Sequence, residues 1–361
     1  MEQVNKPFKI FSNCIPVKGH TRSTICDLQR KQVKLIPNDL YTILTKYNGH
    51  TVEEVKAIYK NEFDEIIDEY FDFLTEHELI FFTDFPEQFP EMPIAWYDPF
   101  EITHAILDFS ETVAYSPQKA IAQLHDLHCR HLEIRLFGDF SWAFLKEIIQ
   151  SINKKYTRII TVDFLMKYQP HISHDMAEAF LQQNPRVHSL CFYSAPSGAN
   201  INTTRENTER VFYNKADLKG AGHCGEIAPG YFSINIKAFT ESLHFNSCLN
   251  GKISVDCYGA IKNCPAMERS YGNINTTSLK DALGNRHFKD SWHIKKEQIS
   301  ICSDCEFRHI CSDCRAFLKD PHNTYSKPLK CGYDPYTGEW NDWEKDKTNA
   351  YSIEYYHLKS L

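Results

Sequence analysis

The 361-residue chain carries 40 Lys and Arg against 47 Asp and Glu, a formal charge of -7, with 42% hydrophobic residues. That is the balance of a soluble globular protein too long for one hydrophobic core, so two or three domains are expected. No basic block offers the positive footprint that nucleic acid or an anionic membrane needs, and no apolar run reaches the roughly 18 residues of a membrane span. The start MEQVNKPFKIF lacks the layout of a signal peptide, so a reducing cytoplasm is the expected setting. There the thirteen cysteines are thiols or metal ligands rather than disulfides.

Residues 7 to 37 read as extended: FKIFSNCIPVKG and STICDLQRKQVKLIP are two β-rich segments on either side of a polar turn, closed by Pro37. Three helices follow. The first buries Leu40, Ile43, Leu44 and Tyr47 and stops at Gly49. The second opens on a capping box from Thr51 and Glu54. The third sets Ile66, Ile67, Tyr70, Phe71 and Leu74 on one stripe, opposite a solvated face of Asp64, Glu65, Asp68, Glu69 and Asp72. With the closing ELIFF, this small sheet and helix trio (residues 1–85) resembles the PqqD-like, winged-helix-like element of peptide maturases. The resemblance implies that a leader peptide adds as a strand beside Gln32 to Leu35 and lies against the helix from Asp64 to Leu74. DNA reading is disfavoured by the acidic third helix, because phosphate contacts need Lys and Arg.

FPEQFPEMP, residues 85–93, is spaced by prolines and reads as a linker. From 94 to 220 strands and helices alternate. ITHAILDF, HLEIRLF, TRIITVDFL and VHSLCFY are strands. The helices between them open at Ser116–Pro117, with Ile121, Leu124 and Leu127 inward; at Ser141, with Phe144, Leu145, Ile148, Ile149 and Ile152 inward; and on a segment carrying Met176, Ala177, Phe180 and Leu181. Such repeats imply a parallel sheet with right-handed crossovers and a ligand edge at the strand C-termini. Residues 194–220 form a polar loop with one more strand near Val211 to Tyr213. The tail from Gly332 has no clear period.

From 221 to 361 the cysteines dominate. Cys248 and Cys264 lie in C-x10-G-x4-C around KISVDCYGAIKNC, a β-hairpin turning at Asp256 to Gly259. Cys302, Cys305, Cys311 and Cys314 follow in C-x2-C-x5-C-x2-C, and Cys331 stands alone. Thiolates in sets of four suit structural zinc or an iron-sulfur cluster, and spacing alone leaves both open. Cys14, Cys26, Cys129 and Cys191 read as buried free thiols. Lone histidines such as His223 and His244 read as structural.

The stretches FNSCLNGKISVDCYGAIKNCPAM, CSDCEFRHICSDCRAF and KPLKCGYDPYTGEW resemble the SPASM domain of radical-SAM peptide maturases. The family pattern is C-x9-15-G-x4-C, then C-x2-C-x5-C-x3-C, then a lone cysteine. All seven positions match, with one residue fewer between Cys311 and Cys314. The resemblance implies two 4Fe-4S clusters, one on Cys248, Cys264 and Cys314, the other on Cys302, Cys305, Cys311 and Cys331. It also implies a fourth ligand for the first set from an upstream cysteine. Cys224, between Gly222 and Gly225, is the candidate, and Cys257 is the rival.

The radical-SAM motif C-x3-C-x2-C is absent: the segment after ITHAILDF is SETVAYSP. At the end of the second strand, Gly138 and Asp139 read as a turn glycine and a helix-proximal carboxylate. Nearly the whole chain is thus similar, specifically in its last third and more loosely before it, to the SPASM protein of the grasp-with-spasm peptide-modification system, an α/β protein with a degenerate radical-SAM-type partial (β/α) barrel. That family implies a precursor peptide and an ATP-grasp ligase as partners. Two other functions are compatible with the residues: a redox enzyme acting through its clusters, and a zinc-stapled scaffold.

Overall fold

The computed structural model describes residues 6–153, 157–197 and 210–358. Its N-terminal unit is built from β1 (Phe8–Ile10), β2 (Cys14–Val17), β3 (Ser23–Asp27), β4 (Gln32–Ile36), α1 (Asn38–Lys46), α2 (Val52–Ile58), α3 (Asp64–Glu76) and β5 (Ile80–Phe82). The stretch FKIFSNCIPV, read as one extended segment, is broken at residues 11–13, and β1 pairs with β5 instead of β2. β2, β3 and β4 form an antiparallel sheet with β4 outermost. The capping box at the start of α2 is present: Glu54 N donates to Thr51 Oγ1 (3.1 Å) and Thr51 N to Glu54 Oε2 (2.8 Å).

Leu40, Ile43, Leu44, Val55, Ile67, Phe71 and Leu74 share one core with Ile25 and Ile36. Ile66, expected on the buried stripe of α3, is 46% exposed. The apolar stripe is wider than the strip of helix the sheet covers. Leu35 on β4 is also 46% exposed.

After a 3-10 turn at Pro86–Gln88 the chain enters the central sheet. Strands β6 (His104–Ser110), β7 (His131–Phe137), β8 (Thr161–Lys167), β9 (Val187–Tyr193) and β10 (Val211–Tyr213) are all parallel. Helices α4 (Pro117–Asp126), α5 (Trp142–Ile152) and α6 (His174–Gln183) cross between the first four. Ser116, Ser141 and Ser173 each cap their helix by accepting a backbone N–H, which satisfies one of the orphan donors of the first turn. Met176, expected inward, is 44% exposed in the first turn of α6. Most of the expected polar loop, residues 198–209, lies outside the described residues.

The remaining elements are α7 (Ile236–His244), β11 (Lys252–Val255), β12 (Ile261–Lys262), α8 (Leu279–Leu283), β13 (Tyr333–Asp334), β14 (Glu339–Trp340) and α9 (Ala350–Tyr355). The cysteine-flanked hairpin β11–β12 forms as expected. It also joins the central sheet: β11 runs parallel to β6, so the strand order is β10-β9-β8-β7-β6-β11-β12. One sheet therefore crosses from the αβ region into the cysteine-rich region, and Ile253, Val255 and Ile261 share its core with Leu107, Ile134 and Val162.

Alternation along the strands gives this sheet two unlike faces. Leu132, Ile134 and Leu136 face the helices and are buried in that core. His131, Glu133 and Arg135, one residue out of step, belong to the other face. There Lys252, His104, His131 and Thr161 stand in one row across four strands.

The N-terminal sheet is fastened to the cysteine-rich region. Val17, Cys26 and Leu28 pack with Phe307, Ile310 and Tyr333. Arg22 Nε donates to the buried Glu306 carboxylate (2.9 Å), Tyr333 Oη donates to the same Oε1, and Thr24 Oγ1 donates to the Glu306 carbonyl (3.0 Å). His20 N donates to Asp304 O (2.8 Å), and Arg308 Nη1 reaches Lys18 O (2.5 Å).

Candidate metal centres

All thirteen cysteines are free of disulfides. Eight of them fall into two electrostatic neighbourhoods. In the first, Cys264 has Cys224, Cys248 and Cys314 around it, and Cys314 has Cys248 and Cys224. In the second, Cys302 has Cys311 and Cys331, and Cys305 has Cys311 and Cys302. Among the described residues no three His, Cys, Asp or Glu side chains are drawn together closely enough to hold a single metal ion.

The first group is assembled by the fold. Cys248 follows α7 in a turn fixed by Asn246, whose Oδ1 accepts from the backbone of Cys248 (3.0 Å) and Leu249 (2.9 Å). Cys264 leaves the end of β12. Cys224 comes from a loop behind a 3-10 turn at Ala221–His223. Gly225 holds φ at +90°, and a Cβ there would stand 2.7 Å from Cys314 Sγ, so only glycine lets the chain after Cys224 pass this sulfur. Cys257, the rival, has Asp256, Asp108 and Lys262 as electrostatic neighbours, none of them a thiol.

The second group is mostly local. Cys302 opens a 3-10 turn, Cys305 N donates to Cys302 O (3.1 Å), and Cys311 N to Phe307 O (3.1 Å). Phe307 N points at Cys305 Sγ (3.4 Å). The residue that swings the chain into this loop is Ile301, held at φ +70°. For a β-branched residue that conformation costs on the order of 1–3 kcal/mol and persists only where the surroundings impose it. Cys331 is brought alongside Ile227 by a parallel bridge, with Ile227 N donating to Lys330 O (3.1 Å), so the strand after Cys224 runs next to the last cysteine of the other group.

The donor chemistry fits a bound cation. Burial pushes the Cys302 thiol up to about 12 and Cys314 to about 11, and it also raises Cys264, Cys305 and Cys311. Such thiols become thiolates when a metal displaces their protons. Four cysteines per group are the donor set that an iron-sulfur cluster or a zinc ion takes, though as placed they stand farther apart than a single ion requires.

Each group also has an ammonium in it. Lys252 Nζ donates to Cys248 Sγ (3.5 Å), with Cys264 and Cys224 nearby. Lys296, 3% exposed, has Cys311, Cys302 and Cys331 as electrostatic neighbours. Asp313, between Cys311 and Cys314 in the chain, is fully buried. It accepts from Asn246 Nδ2 (2.7 Å) and pairs with Arg315 (2.7 Å) and Lys296 (3.7 Å).

Sequence reasoning missed these lysines, and it missed the polar sheet face. Asp108 and Arg135, on adjacent strands, form a buried bidentate pair (2.7 and 2.8 Å). Burial works to lower the Arg135 guanidinium, but Asp108 more than offsets it and raises it. Cys224 has Arg135 and Glu133 among its neighbours, so its loop lies over this face. The signal was present in HLEIRLF, whose strict polar alternation departs from the continuous apolar run of a parallel strand covered on both sides. At the strand ends, Gly138 (φ +121°) is a turn residue whose N–H donates to Tyr193 Oη (2.9 Å), and Asp139 pairs with Lys167 (3.1 Å). Cys14, Cys26 and Cys129 are buried thiols, raised to about 12 by burial.

No protein-family model and no curated sequence matches the chain. Among solved structures it is similar to SuiB of Streptococcus suis. The crystal structure of SuiB bound to S-adenosylmethionine matches at 9% identity and a TM-score of 0.34, covering 89% of this chain and 98% of SuiB. SuiB bound to its precursor peptide SuiA matches at 10% identity and a TM-score of 0.34, with the same coverage.

Proposed function

We propose that this chain is an accessory maturation protein for a ribosomally synthesised, post-translationally modified peptide. Its N-terminal unit holds the leader of the precursor. Cys224, Cys248, Cys264 and Cys314 carry one 4Fe-4S cluster, and Cys302, Cys305, Cys311 and Cys331 carry another. Bond formation belongs to an ATP-grasp ligase working beside it. The observation that supports this reading best is the sorting of eight cysteines, scattered over more than a hundred positions, into two groups of four. The docking role is supported by β4, an outer strand with Leu35 exposed, which shares a core with α3. Strand addition at such an edge takes its affinity from the main chain.

Two measurements test it. Anaerobically purified protein should contain iron and sulfide in amounts that two clusters require; iron-free protein carrying zinc would replace the clusters with a stapled scaffold. A labelled candidate precursor peptide should bind, and Leu35→Glu should weaken it; unchanged binding in that variant would remove β4 from the docking surface. A second reading, redox chemistry on the peptide by the first cluster, is favoured by one observation: Cys224 is solvent-exposed beside the charged sheet face. Modification of the peptide without the ligase, dependent on reductant, would establish it.

A further inference from the structure

Lysine is among the residues least often buried, and an ammonium withdrawn from water needs an anion next to it. Two lysines here are set against cysteines, Lys296 buried and Lys252 half-buried. Lys252 donates to Cys248 Sγ at 3.5 Å, and among the described residues no carboxylate lies within ion-pair distance of it. Lys296 is 3% exposed, in a turn whose Ile299 packs against Cys302. Among the described residues its one carboxylate within ion-pair distance, Asp313 at 3.7 Å, is closer to Arg315 at 2.7 Å, so two buried cations share one anion. In both places cysteine sulfurs stand among the groups that can supply negative charge, beside Glu133 at Lys252 and Asp313 at Lys296.

We infer that Lys252 and Lys296 are built-in counter-cations, one for each cysteine group, that raise the reduction potential of the cluster the group holds, Lys252 by donating to a ligating sulfur and Lys296 from its buried place beside the Cys302 turn. This rests on the cluster reading above. Four thiolates carry more negative charge than the cluster core they hold, and reduction adds one electron to that anion. A fixed cation and an N–H···S bond both stabilise the reduced form more than the oxidised one, and charge and hydrogen bonds to sulfur are the protein's main levers on such potentials. These lysines act through the ligands, so they are positioning residues. The two groups are served by separate lysines and are therefore tuned independently.

The test is a redox titration of the full-length, anaerobically reconstituted protein, followed by electron paramagnetic resonance, with iron and sulfide counted in every sample. Lys252→Met is expected to move one cluster signal to lower potential and leave the other in place; Lys296→Met should do the reverse. The arginine variants, which keep the charge, should return most of the shift. Unchanged potentials in methionine variants that retain wild-type iron would overturn the inference while leaving the clusters standing. Wild-type protein without iron would overturn the cluster reading itself. Should a methionine variant fail to fold, Lys252→Gln and Lys296→Gln, which retain a donor without the charge, give the same readout, and no shift in them is equally fatal.

Discussion

The two cysteine groups hold the same number of sulfurs but reach that number by different routes. Three members of the second group lie within ten residues, turned toward one another by a 3-10 turn and a strained Ile301. The first group draws on four distant places, and two of its members flank a hairpin that is itself part of the seven-stranded sheet. The second is thus a property of a loop, the first of a fold. Damage to the sheet should empty the first and spare the second.

The largest expected effect follows from that difference. Arg135→Met removes half of the buried pair beneath the Cys224 loop and strands Asp108, a loss of about 3–5 kcal/mol. Denaturant unfolding should read the lost stability, and metal analysis should find the first group depleted while the second stays loaded. Equal loss from both would break the comparison. Next come the ligands themselves: Cys264→Ser and Cys302→Ser should each remove about half the bound metal, as expected when one four-thiolate set in two is lost. Hydrogen exchange should then rise in β11, β12 and β6 for the former, and in residues 302–311 and β3 for the latter. In the same assay Cys224→Ser should deplete the first group and Cys257→Ser should not.

Smaller effects sharpen the contrast. Gly225→Ala, at φ +90° and 2.7 Å from a sulfur, should cost about 1–3 kcal/mol and lower metal retention in the first group alone. Glu306→Ala leaves Arg22 and Tyr333 without their shared acceptor, at about 1–3 kcal/mol. It should speed proteolysis within residues 85–93 without changing β11 exchange. Faster β11 exchange in that variant would mean that the two regions are less separate than their construction indicates.

The same contrast explains what was legible in the sequence. Local signals carried through: the Thr51–Glu54 box, the serine caps, the hairpin around Gly259 and the tight C-x2-C-x5-C-x2-C loop are each decided by neighbours in the chain. What was hidden depends on partners far away. That β11 lies against β6, 148 residues earlier at Lys252 and His104, has no local mark, because any strand of that composition would serve. Ile66 and Met176 were placed inward because a helix shows its apolar stripe in the sequence but not how much of it a neighbour covers. Lys252 and Lys296 escaped notice because lysine reads as surface until the sulfurs around it are known. Cys224 was reached through family resemblance; its own surroundings, GHCGEI, name no group.

The seam at Glu306 changes what the N-terminal unit can do. A recognition module on a free tether delivers its cargo anywhere within the tether's reach, and the proline-spaced linker alone would have allowed that. Arg22, Thr24, His20 and Lys18 instead pin the sheet to the Cys302–Cys311 loop. Under the proposed function, a peptide clamped along β4 would therefore leave it at one height and heading, advancing about 3.3 Å per residue while extended. Position along the peptide would be converted into position on the protein. The residue presented for chemistry would then be chosen by counting from the clamp, as a ruler would choose it, so inserting residues after the clamped segment should move the modified position by the same number.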